Sequence, residues 1–114
     1  GLHIKHYPNA PWITDELVAQ ADALFQKAFA VSEGVYLQRI KREYLAVRYL
    51  QLTRSAPGTP GRDEAIDKFI DDVKSFGITE IMERNSLAFS KKCMKESQYT
   101  LDRADRYKLY YIMQ

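Results

Sequence analysis

The chain carries very little with which to build a reactive centre of its own. Cys93 is its one cysteine. That excludes an internal disulfide and a cluster of thiolate metal ligands, and leaves only a bridge to a second chain or, more simply, a buried thiol on a helix. Imidazoles are as scarce, with His3 and His6 the pair. Their spacing suits metal binding on a helix face, but they sit in an extended, proline-flanked segment, so neither a metal nor any other cofactor is expected. No Gly-rich phosphate loop, nucleophile elbow or zinc motif occurs in the chain.

Long apolar runs are missing too. No stretch approaches the ~20 residues of a membrane-spanning helix, and no basic segment followed by an apolar one marks a secretory leader. Charge of one sign is not in excess: the net charge of +2 is too small to demand nucleic acid or an anionic membrane as a partner. Gly1 stands where an initiator methionine would and reads as the scar of a cleaved purification tag. The chain is therefore read as the C-terminal piece of a longer protein.

What is present suits one helical domain. Apolar residues make up 46% and charged residues 28% of 114 positions, ordinary for a globular protein of one core. Leu2, Ile4 and Tyr7 alternate with His3, Lys5 and His6 as in a short strand, before Pro8 and Pro11 end regular structure. Thr14 is a good N-cap, with Asp15 and Glu16 in the first turn where the helix dipole favours negative charge. Leu17, Ala21, Leu24, Ala28 and Val31 then recur as an amphipathic stripe, widened by Phe25 and Phe29 and ending near Ser32 to Gly34.

A second helix is expected from about Tyr36 to Thr53. Its first stripe is Leu37, Ile40, Tyr44, Val47 and Leu50 or Gln51; Leu45, Tyr49 and Leu52 form another flank. A helix apolar on two sides belongs at the centre of a bundle. Two prolines and two glycines between Ser55 and Gly61 make a loop. A third helix opens at Asp63 and Glu64, carries Ile66, Phe69, Ile70 and Val73, and closes at Phe76-Gly77. Thr79 with Glu80 then predicts a fourth helix to about Glu96, with Ile81 or Met82, Asn85, Ala88 or Phe89, and Cys93 facing inward. The tail, Tyr107 to Met113 above all, is rich in strand formers. It could pair with Leu2 to Tyr7 as two short strands at one end of an all-α bundle of about four helices.

The candidate sites have structural explanations. Adjacent carboxylates at Asp15/Glu16, Asp63/Glu64 and Asp71/Asp72 point about 100° apart on a helix, whereas acid–base work needs two that converge across a cleft. Arg39, Lys41, Arg42, Arg48 and Arg54 crowd the second helix while Asp63, Glu64, Asp67, Asp71 and Asp72 lie on the third. An RNA-binding face is the sharper reading of the first set, and complementary charge on neighbouring helices the simpler one. Trp12 with Tyr7 could stack on a sugar ring, or Trp12 could plug the bundle as a hydrophobic staple. Eight tyrosines, four of them from Tyr99 onward, suggest a half-buried surface made to meet a neighbouring domain.

Two stretches together carry a family likeness. They are Leu2-His3-Ile4, Trp12-Ile13-Thr14-Asp15-Glu16-Leu17-Val18 and Ala23-Leu24-Phe25-Gln26-Lys27-Ala28, then Arg39-Ile40 and Glu43-Tyr44-Leu45-Ala46-Val47-Arg48-Tyr49. These resemble the helical C-terminal region of large, secreted, glycoside-hydrolase-like proteins, the class called domain of unknown function 4838. Phe76-Gly77-Ile78 followed by Glu83 is similar to a later helix start of that family. The likeness covers roughly residues 2 to 90 and leaves the tail from Tyr99 unmatched. It implies an upstream (β/α)-barrel resembling those of β-hexosaminidases as the catalytic partner, a secreted, periplasmic or cell-surface location, and glycan as substrate. It carries no catalytic residue into this chain, which is expected to be a non-catalytic accessory domain. A free-standing helical protein-interaction domain is the alternative. Direct glycan contact, if there is any, falls to Trp12 and Tyr7.

Overall fold

The computed structural model describes residues 13–82 and 84–98. Four α-helices run in chain order: α1 Asp15–Val31, α2 Gly34–Arg54, α3 Arg62–Ser75 and α4 Leu87–Glu96. There is no strand among the described residues. The expected pairing of Leu2 to Tyr7 with the tail lies outside them. The described residues form an all-α bundle in which α1 packs on α2, α2 on α3, and α3 on α4.

The punctuation of the chain sets most boundaries. Thr14 caps α1 as expected, its hydroxyl accepting from the Leu17 amide at 3.0 Å, with Asp15 and Glu16 in the first turn. The α3 C-terminus is a Schellman motif. Gly77 donates to the Lys74 carbonyl at 2.9 Å and Ile78 to that of Val73 at 3.3 Å, while Gly77 takes φ +76°, a conformation that costs glycine nothing. Ile78 and Val73 are both buried in the same core, so the cap also steers the chain back under the helix.

Two expectations fail in instructive ways. The fourth helix begins at Leu87, not Thr79. Its cap is Ser86, whose hydroxyl accepts from the Phe89 amide at 3.1 Å. Residues 78–82 and 84–86 instead run as irregular backbone, with Ile78, Ile81 and Met82 buried. Burial of three large side chains, each contributing about 1.5–3 kcal/mol, outweighs the modest preference of Thr79-Glu80 for starting a helix.

On α1, one edge of the stripe predicted to face inward faces out. Leu17, Leu24 and Val31 are exposed, whereas Ala21 and Phe25 of the expected stripe do face the α2 side, joined there by Val18, which the stripe left out. The aromatic residues decide the rotation: Phe25, tilted, and Phe29, edge to face, both pack against Tyr44 of α2, at centroid separations of 5.2 and 5.1 Å.

Helix α2 is central, as its two apolar flanks require. Leu45, Tyr49 and Leu52 join Ile66, Phe69, Ile70 and Val73 of α3 and Leu87 and Met94 of α4 in the larger core. Val47, with Tyr44 and Leu50, faces Ile13, Val18 and Phe25 in a smaller one. Cys93 lies half-buried at the edge of the larger core, on α4.

Arg62, the first residue of α3, ties three helix ends together. Only 4% exposed, it donates to the Leu52 carbonyl at 3.0 Å, the Ser97 carbonyl at 2.8 Å, the Lys95 carbonyl at 3.3 Å and the Ser55 hydroxyl at 2.9 Å. Burial pushes its pKa down, opposed by the charge of Asp63. The carbonyls it meets end α2 and α4, where a helix dipole favours a cation.

Candidate functional site

Because α1 and α3 both pack on α2, they leave a trough between them whose floor is one face of α2. Gln38, Lys41, Tyr44 and Arg48 line it, at steps of three, three and four residues, so they stack along one side of the helix. Phe29 of α1 forms one wall; Lys68, Asp72 and Phe76 form the other. The cleft holds about 560 Å³, within the usual ~300–1,000 Å³ of a ligand site. A shallower depression of about 290 Å³ adjoins it, sharing Tyr44, Arg48 and Lys68 and running on to Gln51 and Leu52.

One carboxylate organises the cations. Arg48 meets Asp72 at 2.7 Å, and Lys68 reaches the same group at 3.4 Å from one turn away on α3. Burial pushes the Asp72 carboxyl up, but the Arg48 hydrogen bond and charge, joined by Lys68, outweigh it and hold it below the ordinary carboxylate range. Arg48 also lies 5.5 Å from the centre of the Phe69 ring, a cation–π contact that fixes its plane. Lys41 is exposed and makes no ion pair among the described residues. Three cations against Asp72 leave the trough positive.

Tyr44 is fixed from behind. Its hydroxyl donates to Asp22 and accepts from the Gln26 amide at 3.3 Å. Burial, followed by the Asp22 carboxylate, raises its pKa, so it remains a neutral ring. Nothing in this arrangement resembles a nucleophile activated by a base.

The sequence candidates fall elsewhere. Trp12 and Tyr7 lie outside the described residues, as do His3 and His6. Asp15 pairs with Arg54 at 3.3 Å, and Arg54 also donates to the Ile13 carbonyl, so α1 is tied to α2. Asp63 and Glu64 occupy the first turn of α3. Of the charge match expected between α2 and α3, one pair forms among the described residues, Arg48 with Asp72. Asp67 turns instead to α4, meeting Lys95 at 2.7 Å and Lys91 at 3.7 Å. Among the described residues no group of three or more His, Cys, Asp or Glu side chains could hold a metal ion, and no helix is long and apolar enough to cross a membrane.

Gln38, Lys68 and Phe76 were not singled out as a site by the sequence. The available signal was the polar and aromatic recurrence Gln38, Lys41, Tyr44, Arg48 in a helix otherwise apolar on two sides. Comparison with protein families, with curated proteins and with solved structures finds no match.

Proposed function

We propose that this chain is a non-catalytic helical accessory domain that works by protein contact, packing on the upstream barrel of a glycan-degrading hydrolase in the same polypeptide. The observation that carries the contact role is a set of large apolar side chains left in water. Leu24 is 66% exposed and Val31 85% on α1; Val35 is 74% and Tyr36 71% exposed at the start of α2. Leu17, Leu24 and Val31 are seven residues apart and so share one side of α1. Scattered exposed apolar residues need no explanation, but a row of them marks a contact surface. The barrel as partner rests on the family likeness alone. The free-standing interaction domain draws on the same exposed row.

The full coding sequence separates the two. A barrel carrying paired acidic residues upstream supports the accessory role, and a reading frame that starts near Leu2 sinks it. In the full-length protein, Leu24→Asp with Val31→Asp is expected to release the domain to limited proteolysis while leaving the circular dichroism of the isolated chain unchanged. The isolated chain is expected to show no glycosidase activity. Direct glycan contact is a separate question, answered by whether Trp12→Ala abolishes glycan binding without unfolding the chain.

A further inference from the structure

We infer that the trough along α2 is a docking groove for an acidic peptide segment bearing apolar side chains. This surface shares no residue with the exposed row on α1 and stands independently of the accessory role. From Gln38 to Leu52 the floor runs fourteen residues, about 21 Å at 1.5 Å per residue. It opens to solvent along that length, where a small-molecule site would enclose its ligand on most sides. Its lining alternates charge and ring. Lys41, Tyr44 and Arg48 follow one another a helical turn apart, with Phe29 and Phe76 flanking them.

The cations divide into scaffold and contact groups. Arg48 is held at 2.7 Å by Asp72 and packed on Phe69, so it shapes the floor. Lys68 is 74% exposed and only 3.4 Å from Asp72, free to turn toward a stronger partner. Lys41 has no carboxylate partner among the described residues. Two acidic side chains of an incoming segment would meet Lys41 and Lys68, while leucine or phenylalanine side chains between them lie on the rings of Phe29, Tyr44 and Phe76. Asp72 and Asp22 stand at the wall and behind Tyr44, so a basic segment gains little there: Asp72 is already shared by two cations and Asp22 by the Tyr44 hydroxyl.

The test is fluorescence anisotropy of the full chain with a fluorescein-labelled peptide of about a dozen residues alternating Glu with Leu and Phe. Saturable binding that weakens with added salt is expected. Lys41→Glu with Lys68→Glu should weaken it about tenfold or more, with the far-UV circular dichroism unchanged. Three results each overturn the proposal: no saturable binding, equal binding of the same peptide with Gln for Glu, or equal binding by the double variant. Free 2-naphthoate binding as tightly as the peptide would also overturn it, by showing a pocket for a small aromatic anion.

Discussion

The two sides of α2 are built to different standards. Toward α3 and α4, eleven buried residues form one cluster, among them Leu45, Ile66, Phe69, Ile70, Val73 and Met82 with no exposed surface. Toward α1, three residues are buried, Ile13, Val18 and Val47, each of them 6–9% exposed. The α1 side is completed by a ring cluster, Phe25, Phe29 and Tyr44, and by Arg54 reaching Asp15 and the Ile13 carbonyl. A domain whose larger core is built without α1 can lend that helix to other contacts. The exposed Leu17, Leu24 and Val31 row lies on that more weakly held helix.

Substitutions on the two sides test the contrast. Phe69→Ala is expected to cost about 3–5 kcal/mol, and Val18→Ala, which removes two carbons at the rim of the smaller core, about 1–2 kcal/mol. Urea titration followed by circular dichroism measures both, and equal losses would abolish the distinction. Arg62→Ala comes next, at about 3 kcal/mol, because it strands the carbonyls of Leu52, Lys95 and Ser97. Arg62→Lys should restore only part of that, lacking the planar fork.

Acid should act on the α3 side first. Asp72 and Asp67 both titrate below the ordinary carboxylate value of 3.8, Asp72 against its own burial through Arg48 and Lys68, and Asp67 chiefly through the Lys95 hydrogen bond. A depressed folded pKa gives stability that is present above the unfolded value and lost as pH falls through the folded one. Thermal midpoints should therefore drop below about pH 5, and more shallowly in Asp72→Asn. The smallest effect expected is at Ser90, fully buried with a hydroxyl that has no hydrogen-bond partner among the described residues. Ser90→Ala should be neutral or stabilising by up to about 1 kcal/mol.

Much of the bundle is legible in the sequence because its signals are local. Thr14 before an acidic turn, the prolines and glycines between Ser55 and Gly61, and Phe76-Gly77 each fix a boundary within a few residues of themselves. The double-sided pattern of α2 correctly places that helix at the centre. Two things are not local. Whether Leu17 or Val18 faces inward depends on which stripe finds Tyr44, since both recur with helical spacing. Thr79-Glu80 imitates a helix start, and only the depth of the pocket that receives Ile81 and Met82 overrules it. The trough escapes the sequence for a similar reason. It exists because α1 and α3 stand apart on α2, and no periodicity within one helix reports the gap between two others.

The Arg62 staple has a practical reading as well. Its guanidinium reaches back to Leu52 and Ser55, so both ends of the Ser55 to Gly61 loop are pinned independently of what lies between. The intervening residues 56–61 are all exposed, and closing a loop of twice the length adds only about 0.6 kcal/mol. The junction of Gly58 and Thr59 is thus a natural port for splicing in a reporter or an affinity handle. A Gly-Ser insert doubling the loop should shift the thermal midpoint by only a few degrees, leaving both termini of the chain untouched.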